Sequence, residues 1–128
     1  MNHSLERWHQ FVASQDTAVL AEILDQDCVF LSPVVHTPQQ GRDITAMYLK
    51  GAMQVLQDGF EYQKEVVEGN HAVLEFSCEV DGIIVNGVDI ITFNDAGKIV
   101  EFKVMLRPLK AINAVHQKMG QMLEQLSA

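Results

Sequence analysis

Between residues 60 and 106 the chain is built of runs in which apolar and polar side chains largely alternate, separated by turn-forming residues. Nothing else in the sequence restricts the fold as much. A period of two sends one set of side chains to one face of a strand and the other set to the opposite face. Four such runs are legible, Phe60–Val67, His71–Val80, Ile83–Phe93 and Lys98–Leu106. Gly69-Asn70, Asp81-Gly82 and Asn94-Asp95-Ala96-Gly97 separate them, and Asp-Gly is a strong two-residue hairpin signal. The spacing predicts an antiparallel meander.

Hairpin turns set register, and register decides which residues share a face. A two-residue turn at Asp81-Gly82 pairs Val80 with Ile83, Leu74 with Asp89, Phe76 with Gly87 and Cys78 with Val85. A four-residue loop at Asn94–Gly97 pairs Phe93 with Lys98, Asp89 with Phe102 and Gly87 with Val104. One face then reads Leu74, Phe76, Cys78, Val85, Asp89, Ile91, Phe93, Phe102, Val104 and Leu106, with Asp89 its one carboxylate. An ionised acid there must be paired, hydrogen-bonded or protonated, because an unpaired buried charge costs several kcal/mol. Desolvation is expected to raise its pKa unless a cation lies near. Asp89 is thus either a pocket-lining functional acid or a structural one bonded to a backbone amide or to Trp8 Nε1.

The first hairpin is harder to read. A two-residue Gly69-Asn70 turn would point Glu61, Gln63 and Glu65 inward, so an odd-length loop with a bulge is expected instead. That brings Phe60, Tyr62 and Val66 to the inner face and carries Lys64 with them from an edge strand.

Ahead of the strands the period is helical. Leu5, Trp8, Phe11 and Val12 mark a helix over about Ser4 to Ser14, and Asp16 can cap a shorter one carrying Val19, Leu20, Ile23 and Leu24. Cys28 to Leu31 reads as a short strand, and Pro33 and Pro38 bracket an irregular loop. A third helix after Gly41 aligns Ile44, Met47, Tyr48, Val55 and Leu56. Pro108 opens a last helix with Leu109, Ile112, Val115, Met119, Met122 and Leu126 on one face. Helices first and a meander after is an α+β order, and no linker divides residues 1–128, which read as one domain.

Composition excludes several classes of partner. Nine Lys and Arg against 17 Asp and Glu give a formal charge of −8, with no basic cluster, which argues against nucleic acid or an anionic membrane surface. No stretch approaches the ~20 apolar residues of a membrane span, and the N-terminus lacks an apolar signal core. Cys28 and Cys78 belong to no CxxC or Cys/His cluster and read as reduced thiols of a cytoplasmic protein. The five histidines show no HxH or HExxH spacing, so no metal site is expected, and no Gly-rich phosphate loop or GxSxG is present. His36 falls in the loop at the expected pocket mouth and His9 beside Trp8; each is an acid/base partner for Asp89 or a plain surface histidine.

Trp8…Phe11, Asp27-Cys-Val-Phe-Leu-Ser-Pro33, Gly41-Arg-Asp-Ile44, Gly87-Val-Asp-Ile-Ile-Thr-Phe-Asn-Asp-Ala-Gly-Lys-Ile99 and Arg107-Pro108 together resemble the nuclear transport factor 2-like superfamily, especially its SnoaL-like, polyketide cyclase-like branch. The resemblance implies a cone-shaped curved antiparallel sheet wrapped around N-terminal helices, with a C-terminal helix, the cystatin-like roll. It also implies a pocket for a small apolar molecule, in a superfold that hosts isomerases, cyclases, dehydratases and non-catalytic binders. Asp89 falls where ketosteroid isomerase carries its protonated, hydrogen-bond-donating acid. That enzyme's general base falls on Ser32, which is no carboxylate, and its oxyanion-hole tyrosine falls on Trp8, which offers only an N–H.

The expected function is therefore binding of a small apolar ligand around Asp89, with cofactor-free acid/base catalysis through Asp89 as the alternative. Trp8, Phe11, Phe30, Ser32, Tyr48, Tyr62, Leu74, Phe76, Phe102 and Val104 are the expected ligand contacts. On the outer sheet face Ile84, Val88 and Ile90, with Val73 and Met105, make an apolar strip expected to be buried in a homodimer.

Overall fold

The computed structural model describes residues 2–127. Helices α1 (Asn2–Ser14) and α2 (Thr17–Ile23) lead into strand β1 (Leu24–Leu31), a two-residue β2 (Gln39–Gln40) and helix α3 (Arg42–Val55). Strands β3 (Glu61–Glu68), β4 (His71–Val80), β5 (Ile83–Phe93) and β6 (Ile99–Arg107) follow, and helix α4 (Leu109–Ser127) closes the chain. The sheet runs β2-β1-β6-β5-β4-β3. It is mixed rather than wholly antiparallel, because β1 lies parallel to β6, with Phe30 beside Phe102. A parallel neighbour needs a long crossover, and α3 with the meander supplies it. Among the described residues no helix is long and apolar enough to cross a membrane.

Local chemistry accounts for the helix ends. Asp16 accepts a hydrogen bond from Ala18 N at 2.9 Å and so caps α2. Leu24, expected on that helix, instead starts β1 opposite Ile99. The Pro108 carbonyl accepts from Ala111 N and Ile112 N, so Pro108 precedes the first turn of α4 rather than forming part of it. Leu109 then points to solvent, and Ala111, Val115 and Met119 turn inward. On α3 the buried positions are Thr45, Leu49, Gly51 and Met53, a stripe rotated from the one expected through Ile44, Met47 and Val55.

The β4–β5 register is as the Asp-Gly turn requires: Val80 pairs with Ile83, Phe76 with Gly87 and Leu74 with Asp89. The β5–β6 register is displaced by two residues from expectation. Asp89 lies opposite Val104, not Phe102, and Gly87 opposite Leu106. Two local features add up to this. Asn94 Oδ1 accepts from Ala96 N and Lys98 N, tightening the loop so that Asn94 N donates to the Lys98 carbonyl. A bulge between Thr92 and Phe93 then adds one more residue on β6. An even displacement leaves every side chain on its expected face, and all the inward residues listed above are buried except the half-buried Leu106.

The first hairpin corrects the sequence reading. Gly69-Asn70 is a two-residue turn between Glu68 and His71, and the bulge lies farther back, between Tyr62 and Lys64. The bulge reverses the facing of the strand. Tyr62 sits inward across from Phe76, whereas Val66 pairs with Val73 on the outer face and is 61% exposed. Lys64, across from Glu75, also faces outward. The inward Glu65 is tolerable at the rim because His9 Nε2 lies 2.6 Å from its Oε1.

Candidate functional site

A cavity of about 160 Å³ opens between the inner sheet face and helices α1, α3 and α4. Phe30, Phe76, Asp89, Phe102 and Val104 form its sheet-side wall, and Trp8 of α1 packs beside them. Tyr48, Leu49, Ala52 and Met53 of α3 face them, and Val115, His116, Met119 and Gly120 of α4 complete the enclosure. The loop Ser32–Val35 lies at its edge. The aromatic rings brace one another: Trp8 and Phe102 have centroids 4.8 Å apart, and Tyr48 stacks on Phe30 at 5.1 Å.

Asp89, 5% exposed, is the one carboxylate of this wall. Its Oδ2 accepts a hydrogen bond from Tyr62 Oη at 2.6 Å, and Tyr62 Oη in turn accepts from Trp8 Nε1 at 2.9 Å. Direction in this chain is forced. Indole nitrogen only donates, so the phenol oxygen receives its hydrogen and must turn its own hydrogen to Asp89. Oδ2 is thereby held as an acceptor, and a proton taken up by Asp89 resides on Oδ1. That oxygen has no hydrogen-bond partner among the described residues.

The electrostatics follow from the same geometry. Burial pushes the Asp89 carboxyl up to about 7, and the Tyr62 hydrogen bond, which favours the ionised form, pulls weakly the other way. Tyr62 is itself raised well above the ordinary phenol value by burial and by the adjacent Asp89, so it remains a proton-bearing donor. A carboxyl poised near neutrality, with one oxygen pinned and the other facing an apolar space, can donate a hydrogen bond or exchange a proton with a bound molecule.

Of the expected contacts, Trp8, Phe30, Ser32, Tyr48, Phe76, Phe102 and Val104 line the cavity. Three do not. Tyr62 stands behind Asp89 and acts on it rather than on the cavity. Phe11, its ring tilted against Trp8, and Leu74, fully buried, belong to the core beneath the wall. Ser32 Oγ accepts from Val34 N at 3.1 Å, which shapes the loop. His9 packs edge-on against Tyr62 with centroids 5.4 Å apart, and the exposed His36 is outside the lining.

His116 and Met53 line the cavity without being marked by the sequence, and Met119, expected on the apolar face of the last helix, lines it as well. The signal for the α4 residues was available, since Val115, Met119 and Leu123 recur at intervals of four and His116 follows the first of them. Among the described residues no three His, Cys, Asp or Glu side chains come together as metal ligands.

The chain matches the SnoaL-like domain over residues 5–102. Its structure superposes on that of a steroid delta-isomerase from Pseudomonas aeruginosa with a TM-score of 0.94 and 35% identity, covering 99% of this chain and 94% of that one. A bacterial protein with a cystatin-like fold from Silicibacter pomeroyi DSS-3 matches with a TM-score of 0.86 and 33% identity over 92% of this chain and 83% of that one. An NTF2-like protein of unknown function from Mesorhizobium loti, 23% identical, shares the fold with a TM-score of 0.73 over 84% of this chain and 90% of that one. No curated protein matches the chain.

Proposed function

The chain belongs to the SnoaL-like domain family, and from that premise we propose that it binds a small, largely apolar molecule whose one inward oxygen meets Asp89. The observation that carries this reading is the pinned Trp8–Tyr62–Asp89 chain ending in a free carboxyl oxygen in an apolar cavity. The volume supports a compact ligand. Cavities of about 150 Å³ accept one benzene ring, so four fused rings would have to extend out through the mouth. Trp8, Phe30, Tyr48, Phe76, Phe102 and Val104 form the contact surface for the apolar body.

The test uses cyclohex-2-enone, a single ring with one carbonyl. Trp8 is the only tryptophan of the chain, so its fluorescence reports binding. If Asp89 donates to the carbonyl, affinity is highest below the carboxyl's pKa of about 7 and falls as pH rises through it. Asp89→Asn, whose amide donates at every pH, should bind with no such dependence. Equal affinity of the wild type at pH 5.5 and pH 8.5 contradicts the reading.

The 35% identity to a protein described as a steroid delta-isomerase favours a second reading, cofactor-free proton-transfer catalysis with Asp89 as acid or base. Ser32 supplies no second carboxylate, so Asp89 would carry the transfer itself. In deuterium oxide the wild type should then exchange the acidic C–H protons of the same ketone, followed by NMR. Asp89→Asn should not. Exchange no faster than in buffer would leave binding alone.

The apolar outer strip supports a homodimer through the backs of the sheets. Ile84 and Met105 are 63% and 53% exposed, and Val66, Val73, Val88 and Ile90 extend the patch. Two buried free thiols, Cys28 and Cys78, support a reducing, cytoplasmic setting.

A further inference from the structure

Helix α4 carries a residue that its own packing does not require. Gly120 lies in the interior of the helix, where glycine is unfavourable relative to alanine because it has more backbone freedom to lose. A Cβ placed there meets no atom within 4 Å. Gly51 differs: a Cβ on it would lie 3.4 Å from Met122 Cγ and 3.5 Å from Met119 Cε, so there the α3–α4 contact accounts for the small residue. Gly120 nevertheless lines the cavity and is exposed, which makes it a notch joining the cavity to solvent.

One helical turn before it, His116 lines the same cavity and is also exposed. Its ring has no hydrogen-bond or ionic partner among the described residues. Neutral or charged, imidazole keeps at least one N–H donor. The cavity thus has an unengaged oxygen inside, at Asp89, and an unengaged donor at its rim, at His116. With room inside for about one ring, a longer ligand emerges past the rim.

We propose that ligand enters and leaves over Gly120 and that His116 donates a hydrogen bond to a polar group at the ligand's outer end. This rests on the pocket reading above and narrows it. The ligand class becomes a two-ended molecule, with an apolar body, an oxygen directed to Asp89 and a second acceptor outward.

Two fluorescent probes test this, 1-anilinonaphthalene-8-sulfonate and its uncharged counterpart lacking the sulfonate, N-phenyl-1-naphthylamine. Displacement of the probe by cyclohex-2-enone, beyond energy transfer from Trp8, identifies binding in the cavity. Gly120→Leu keeps the helix and fills the notch, so stopped-flow association and dissociation of both probes should slow together by several-fold. Gly120→Ala should raise the unfolding midpoint by a few degrees. His116→Ala should weaken the sulfonate probe several-fold and leave the uncharged one unchanged.

Unaltered rates in Gly120→Leu, with wild-type energy transfer intact, would overturn the portal while leaving the pocket reading standing. Equal losses for both probes in His116→Ala would overturn its role at the rim. Absence of binding by both probes in a wild type that still binds cyclohex-2-enone would overturn this inference and leave the pocket reading standing, whereas failure of cyclohex-2-enone as well would take down both.

Discussion

At Asp89 two forces act on one carboxyl. Burial favours the protonated form and the Tyr62 hydrogen bond favours the ionised one, and burial is the larger. The sign of the stability effect follows. In the folded chain the group protonates at about 7, against an ordinary aspartate value of 3.8. Between those values the native state holds a proton that the unfolded state has released, so stability falls as pH rises through this window and levels off above it. The deficit at pH 8 is on the order of 4 kcal/mol. Asp89→Asn keeps the shape and an oxygen to accept from Tyr62, and no charge to desolvate. Its unfolding midpoint should exceed the wild type's at pH 8, and the gap should close as pH drops toward 4. A lower midpoint for the variant at pH 8 would mean that Asp89 is a satisfied structural acceptor. Tyr62→Phe strips the donor from Asp89 and the acceptor from Trp8. It should raise the Asp89 pKa further and cost about 1–3 kcal/mol for the unsatisfied indole N–H, measured by NMR titration and denaturant unfolding.

Among the elements, β5 carries the site, and Gly87 shows how closely its neighbours approach. It lies two residues before Asp89 on the same face, flanked by Phe76 and Leu106. A Cβ there would come within 2.5 Å of Phe76 Cζ and 2.7 Å of Leu106 Cδ2. Both are cavity-lining side chains. Gly87→Ala should therefore destabilise by about 1–3 kcal/mol, and displacement of the Phe76 ring should weaken ligand binding as well. Wild-type stability and affinity together would show that the two side chains yield freely. The strand register explains why so much of this was readable beforehand. An Asp-Gly turn leaves little latitude, so Leu74 and Phe76 were matched to their partners. Alternation alone puts the register across the Asn94 loop two residues out, because it records neither the Asn94 side-chain cap nor the bulge at Thr92. Tyr62 turns inward as expected, but Val66 and Lys64 face outward, because the two-residue Gly69-Asn70 turn sets their facing and the bulge beside Gln63 reverses only what precedes it.

For the whole molecule, the folding principle is a sheet whose inner face closes on α1, α3 and α4 around the cavity, leaving an outer face that carries an apolar strip among polar residues. The inner face was legible because alternation is local. The parallel placement of β1 beside β6, the turning of α4 that brings His116 to the rim, and the Trp8–Tyr62–Asp89 chain were not, because each joins segments distant in sequence. If the outer strip is a dimer interface, the chain should sediment at twice its 14.3 kDa. Ile84→Glu combined with Met105→Glu should yield a folded monomer, because both side chains are already largely exposed in the single chain. A wild-type monomer at micromolar concentration would refute the interface.

The measurement that bears most directly on the account is a carbon-detected NMR titration of the Asp89 carboxyl in the ligand-free wild type. A midpoint near 7 is predicted, with a coincident change at the Tyr62 ring. A midpoint near the ordinary aspartate value of about 4 would contradict it, leaving Asp89 an ionised structural acid and the cavity without its proton-exchanging group.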